Sequence, residues 1–317
     1  MRKEEQIIAS PTMGLVPLDD RPCNRQFPGR LAELAACRLL LPPRESLGWF
    51  TKPGDCDLVA AWLQDCEAER FVISLDMLCY GGLVASRSEV VAAEEAAARL
   101  ETLRSLKQRR PDVTLFAFNV ITRLGTTVSS SADLEIHEQL RTYSQLVDRV
   151  ERLGEEGLRP QLDTIVASLD PTALSTYLAV RRRNHAINRA AIQLAAEGVV
   201  DYLVLAQEDA APVGLHLPEQ FALRGQAEEY RVVDKVAIYP GADEVGLVLT
   251  ARQCAVAAGA SPRIAIDYAA EAGANVVPRF EHQTLRETVE SQIRASGARL
   301  AVPGEAEAML FLHTPVG

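Results

Sequence analysis

Short apolar runs alternate with helical stretches along the whole chain, and this alternation constrains the fold more than any other feature. Runs at 14–18, 38–41, 71–75, 114–120, 164–168, 202–206, 236–238, 263–266 and 309–313 read as strands. Stretches at 29–37, 58–67, 88–109, 132–153, 172–198, 218–223, 243–258, 285–296 and 304–308 read as helices. Several strand runs are apolar throughout instead of alternating with polar residues. That pattern implies burial on both faces, and therefore an α/β fold with a mainly parallel sheet built from repeated βα units. Eight or nine units suit a closed (β/α)8-type barrel or an open doubly wound sheet, and the barrel is the favoured expectation.

At 317 residues the chain is long enough for one large domain, and a hydrophobic share of 48% supplies its core. Residues 1–12 are polar and read as a disordered lead, with a single domain over 13–317 and a helical insertion at 131–198. A strand-like run so near the end suggests a truncated C-terminus. The net charge of −10 argues against a nucleic-acid partner or an anionic membrane. The lead lacks the apolar stretch of a signal peptide, and no apolar run approaches the ~18 residues of a membrane span. A cytoplasmic location is the default expectation. The six cysteines are scattered without a CxxC pair, which disfavours a zinc cage; small buried residues is the plainer reading for each. Composition leaves the oligomeric state open.

The chemistry concentrates at strand ends, the side where α/β proteins bind ligands. The first strand runs into Asp19-Asp20-Arg21-Pro22-Cys23-Asn24. The third runs into Asp76, followed by Tyr80-Gly81-Gly82 and Arg87. The fourth ends at Asn119, with Arg123 beyond it; later ends carry Glu208-Asp209, Asp243-Glu244 and Asp267-Tyr268. One acidic strand end is unremarkable, but five on one sheet converge on a single rim, and like charges there raise pKa values. Each also has a plain reading: Asp19-Asp20-Arg21 as a turn, Asp243 as a helix cap, Glu208-Asp209 as loop solvation, and His185 within 172–198 as a packed histidine.

Four motifs occur in order: Pro17-Leu18-Asp19-Asp20-Arg21-Pro22-x-Asn24; Ser74-Leu75-Asp76-Met77 with Tyr80 to Arg87; Arg183-Asn184-His185-x-x-Asn188; and Pro240 to Gly246. Together they resemble the bacterial family named domain of unknown function 4127, from about Met13 to the end. The resemblance implies relatives that continue further, into a Gly-Trp-Asn-Thr segment this chain lacks. It implies no activity. A second, purely local likeness bears on chemistry. Gly241-Ala242-Asp243-Glu244-Val245 is similar to the strand-end motif of family 20 β-N-acetylhexosaminidases, with Tyr239 where that motif usually has His or Asn. That likeness implies a general-acid role for Glu244 and a substrate-orienting role for Asp243.

The expectation is therefore a carbohydrate-active hydrolase. Glu244, Asp243 and Asp76 are its candidate catalytic residues. Candidate substrate-binding residues are Asp19, Asp20, Arg21, Asn24, Tyr80, Asn119, Arg183, Asn184, His185, Glu208 and Asp209. Tyr80 and Trp49 are candidates to stack on a sugar face. The substrate is a glycan or other small molecule, and no cofactor is expected. One alternative is a Mg²⁺- or Mn²⁺-dependent enzyme, with Asp19, Asp76 and Asp209 on the metal and Arg21, Arg87 and Arg183 on an anionic substrate. Another is a non-catalytic sugar-binding module. No GxGxxG, P-loop or G-x-S-x-G motif supports a dehydrogenase, an NTPase or a triad hydrolase.

Overall fold

The computed structural model describes residues 11–314. Six strands pair in one parallel sheet: β1 (Thr12–Val16), β2 (Arg38–Leu40), β3 (Arg70–Ser74), β4 (Thr114–Ile121), β5 (Tyr202–Gln207) and β6 (Val236–Pro240). Their order is β2-β1-β3-β4-β5-β6, so β2 and β6 end the row. A second, three-stranded parallel sheet has the order β8-β7-β9, from β7 (Arg263–Tyr268), β8 (Arg299–Leu300) and β9 (Ala308–Leu312). The mainly parallel α/β architecture is as expected, but the closed barrel is not confirmed. Three of the expected βα units fall outside the main row: β7 and β9 pair in the second sheet, and 164–168 is helical.

The helices are α1 (Pro22–Leu34), α2 (Cys56–Asp65), α3 (Leu75–Tyr80), α4 (Ala93–Arg99), α5 (Glu101–Arg109), α6 (Ser131–Val147), α7 (Arg159–Ser168), α8 (Pro171–Ala196), α9 (His216–Glu229), α10 (Val245–Ala257), α11 (Glu271–Ala274) and α12 (Leu285–Ala295). Successive strand residues point to opposite faces, and helices cover both. Val16, Phe71, Ile73, Leu115, Leu203 and Leu205 pack with α2, α5, α8 and α9 on one side. Met13, Leu15, Val72, Phe116, Phe118 and Val204 pack with α10 and the end of α12 on the other.

Local chemistry sets the helix starts. The Asp170 carboxylate accepts the Ala173 N–H at 2.9 Å with Pro171 at the first helical position, which fixes the start of α8. Thr284 and Glu287 form a reciprocal capping box on α12. The single helix expected at 88–109 is two, α4 and α5, meeting at Leu100. The strand expected at 164–168 is the end of α7, where Leu162 and Ile165 turn toward α6. The helix expected at 304–308 is a single turn, Pro303–Glu305, that leads into β9. Thr12, assigned to a disordered lead, opens β1; residues 1–10 lie outside the described part. Within 131–198, α8 is the crossover packed on β4 and β5, while α6 and α7 share separate apolar clusters.

Candidate functional site

The chain reverses direction along the sheet between β1 and β3, and a crevice opens at the carboxyl ends of the strands beside such a reversal. A cavity of about 880 Å³ lies there. The β1 end contributes Asp19, Asp20 and Arg21, the turn after α3 contributes Gly81 and Gly82, and Arg87 follows. Arg123 comes from the β4 end, Gln207, Glu208 and Asp209 from the β5 end, and Pro240 to Glu244 from the β6 end. Loop residues Trp49, Phe50 and Lys52 line one side of it, and Arg279, Phe280 and Glu281 complete the wall.

The acids do converge, as the strand ends predict, but most are neutralised by a guanidinium. Arg21 donates through Nε to Asp19 Oδ2 at 2.9 Å and through Nη1 to Asp243 Oδ2 at 2.7 Å, while Nη2 reaches Asp243 Oδ1. Asn24 donates to Asp19 Oδ1 at 2.8 Å. Asp20 is buried against Arg44, whose Nε and Nη2 lie 3.0 and 3.1 Å from its two oxygens. Glu208 pairs with Arg87, which also donates to Thr127 Oγ1 at 3.3 Å. Asp209 pairs with Arg123 and holds a left-handed backbone, φ 39°, uncommon outside glycine.

Glu244 differs: among the described residues it has no cationic ion-pair partner. It stands immediately before α10, and its carboxylate accepts the Ala242 N–H at 3.2 Å and the Gln292 amide at 3.2 Å. Burial raises its pKa above the ordinary 4.5, and the Asp243 charge pushes the same way; the Ala242 and Gln292 hydrogen bonds oppose both. Gly241 makes room for it, because a Cβ there would collide with Glu244 Oε1. Asp243 does not cap the helix; it is held by Arg21. Two adjacent carboxylates thus occupy different environments: both are half-buried, but Asp243 is ion-paired to Arg21 and Glu244 has no countercharge.

Seven of the predicted site residues line the cavity: Asp19, Asp20, Arg21, Glu208, Asp209, Asp243 and Glu244. The other seven do not. Asp76, expected to be catalytic, is sealed beneath the floor at 1% exposure. Its Oδ2 accepts the Val120 N–H at 2.9 Å, its Oδ1 has no partner, and burial pushes its pKa up from 3.8 to about 7. Arg183 is spent on the Ser88 and Val91 carbonyls at 2.6 and 2.9 Å and lies over the buried Tyr80 ring at 4.4 Å. Asn184 donates to the Ser86 carbonyl at 2.8 Å, so both residues fasten the 86–91 segment to α8. Tyr80 is too buried to stack on a ligand. Asn119 donates to Asn188 at 2.8 Å within the β4–α8 layer, and Asn24 acts through Asp19. His185 sits on α8 with its pKa lowered, first by burial and then by Arg189 and Arg181. Asp267 and Tyr268, expected on the common rim, line a separate shallow hollow beside β7.

Gly81 and Gly82 serve packing. A Cβ on Gly81 would meet the Gly54 carbonyl at 2.6 Å, and one on Gly82 the Leu18 carbonyl at 3.2 Å. Both have positive φ, 86° and 120°. Sequence reasoning missed Phe50, Lys52, Arg279, Phe280, Glu281 and Gln292. Phe50 and Lys52 stand beside Pro53-Gly54 and Arg279 to Glu281 follow Pro278, which is their one visible signal; Gln292, on α12, carries none.

Among the described residues no three His, Cys, Asp or Glu side chains form a group that would hold a metal ion. Asp19 and Asp209 are committed to arginines, and Asp76 is buried. No described helix is long and apolar enough to cross a membrane. The family model described as "Protein of unknown function (DUF4127)" matches residues 13–317. The chain belongs to that family. No curated protein and no solved structure matches it. The DUF4127 motifs divide by position: the Asp19 to Arg21 and Asp243-Glu244 motifs line the cavity, whereas the Arg183-Asn184-His185 motif supports it from behind.

Proposed function

We propose that this DUF4127 protein is a glycosidase-like hydrolase in which Glu244 is the general acid. The observation that carries the reading is the contrast between Asp243 and Glu244 in one cavity. Carboxylates whose environments push their proton affinities apart divide acid and base work on a sugar. Glu244, half-buried and lacking a countercharge, keeps its proton to higher pH, gives it to the leaving oxygen as the glycosidic bond breaks, and takes a proton back from the water that adds to the sugar carbon. Asp243, clamped by Arg21, orients substrate and faces developing positive charge. Gln292 and the Ala242 N–H hold the Glu244 carboxyl in one orientation, and Asp19 fixes Arg21 from behind. Exposed Trp49 at the mouth takes the stacking role that buried Tyr80 does not fill.

The test is a panel of chromogenic aryl glycosides assayed with the wild type and Glu244→Gln. Loss of a positioned acid lowers turnover by about 10²- to 10⁴-fold, while the thermal midpoint of the variant stays near that of the wild type. Full activity in a folded Glu244→Gln protein refutes the role. Glycan binding without turnover by the wild type supports a sugar-binding module instead.

A further inference from the structure

We infer that the ligand of this cavity is a sugar ring bearing an anionic group, carboxylate or phosphate, held by Arg279 and Lys52 with the ring against Trp49 and Phe50. The inference rests on the reading of the cavity as a sugar site and narrows its substrate class.

The first observation is charge left over. Arg21, Arg87 and Arg123 are each in ion pairs with acids of the cavity wall. Lys52 and Arg279 also line the cavity, and among the described residues neither has a carboxylate ion-pair partner. The neighbouring acid Glu281 accepts the Thr288 hydroxyl at 2.7 Å instead. Two cations of the cavity lining are therefore left without an ion-pair partner for a ligand anion to replace.

The second observation is that Arg279 is already positioned. Its guanidinium lies 4.8 Å from the Phe280 ring centroid, and Arg141 packs on the same ring at 5.5 Å. Phe280 has a left-handed backbone, φ 71°, and its carbonyl accepts the Ala210 N–H at 2.7 Å, which ties the loop to the β5 end. Left-handed backbone is unusual for a bulky residue and tends to gather at ligand sites.

The third observation lies in the 49–52 loop. Trp49 and Lys52 exchange backbone hydrogen bonds at 2.9 and 2.8 Å, which folds the loop back on itself. Phe50 between them is also left-handed, φ 49°. Trp49 and Phe50 are 67% and 71% exposed although they line the cavity. Two exposed aromatics, Trp49 held by the Lys52 backbone hydrogen bonds and Phe50 by its left-handed turn, stand beside a lysine and suit a ring with an apolar face and a charged substituent.

Calorimetry tests this on the wild type and on Glu244→Gln, with glucose, galactose, glucuronate, galacturonate and glucose 6-phosphate as probes. At least one anionic probe binds about tenfold or more tighter than its neutral counterpart, and the preference shrinks with added salt. Tighter uronates identify the carboxylate as the recognised group; a tighter sugar phosphate identifies the phosphate. Lys52→Ala/Arg279→Ala removes the preference. Phe280→Gly keeps the backbone conformation, removes the platform under Arg279 and weakens the anionic probe more than the neutral one. Equal binding of neutral and anionic probes, no binding of any anionic probe, or an unchanged preference in the double variant overturns the inference. If Glu244→Gln retains full turnover while the anionic preference holds, the acid/base reading fails and the ligand class stands.

Discussion

Replacing Asp76 with Asn will change the pH dependence of stability in a direction fixed by its burial. Asp76 has 1% exposure, one backbone donor and one unpartnered oxygen, and its pKa is pushed from 3.8 to about 7. The unfolded chain releases this proton near pH 4, whereas the folded protein keeps it to about pH 7. Between those limits the folded state binds more protons, so stability falls as pH rises. At about 1.36 kcal/mol per pH unit, the full span corresponds to roughly 4 kcal/mol. Below pH 4 aspartic acid is neutral in both states, and the asparagine variant differs from it only by a constant packing and hydrogen-bond term. Above pH 7 the wild type carries the whole penalty and the variant none. Urea unfolding of both proteins at pH 4.5, 6 and 8 gives the difference curve, in which groups common to both cancel. The variant should gain steadily on the wild type from pH 4.5 to 8. Parallel curves would show that folding does not shift the Asp76 proton affinity, and a variant that loses ground as pH rises would show that Asp76 is charged and paired in the folded state; either refutes the reasoning.

Arg21→Met severs the Asp19–Arg21–Asp243 bridge; because these side chains are partly exposed, stability should change by less than ~1 kcal/mol while turnover collapses, as melting curves and kinetics will show. Gly241→Ala places a Cβ against Glu244 Oε1, so turnover should drop and its loss at high pH should move, with the fold retained by circular dichroism. Buried His216 and half-buried His282, with ring centroids 5.4 Å apart, have pKa values lowered from 6.5 to about 3 and about 4, first by desolvation. Their stabilising effect is complete above pH 6.5 and is lost as pH falls toward 4, so His282→Phe should melt with less acid sensitivity between pH 7 and 4.5.

The strands of the main sheet were legible because parallel strands are continuous apolar runs, and β1, β3, β4 and β5 fall within two residues of their expected bounds. The errors have local physical causes. Thr164 to Ser168 carries the β-branched residues of a strand, yet Ile165 is drawn into the apolar cluster with α6, and tertiary packing overrides propensity. The strand read at 71–75 stops at Ser74, because Ser74 Oγ accepts the Met77 N–H at 3.2 Å and starts a fully buried helix at Leu75 that the sequence did not announce. That helix carries Asp76 under the floor. The acids of the site were legible because strand ends mark the ligand side. Their partners were not, since Arg21 and Asp243 are 222 residues apart and Arg87 and Glu208 are 121 apart. Nothing local in sequence records such pairs.

The longest of those pairs explains how an open row of strands encloses a cavity. From β1 to β6 there are four inter-strand steps, and at about 4.8 Å each a flat sheet would separate them by roughly 19 Å. Arg21 and Asp243 nonetheless touch. The chain after β6 therefore doubles back across the rim, and α10 continues in that direction to pack beside α1 and over β3. The Gly241 turn opens that return, and the Arg21 guanidinium clasps its tip. Arg87–Glu208 and Arg123–Asp209 stitch the loops beneath it. Each guanidinium joins loops from different strands, so the charged groups of the wall hold one another in place before any ligand arrives. Pre-placed dipoles and charges are what an acid/base site needs at the moment of reaction. Glu244 stands outside this network of mutual neutralisation, as Glu281 does, but Glu281 accepts the Thr288 hydroxyl, whereas Glu244 sits beside the ion-paired Asp243 with its proton affinity raised.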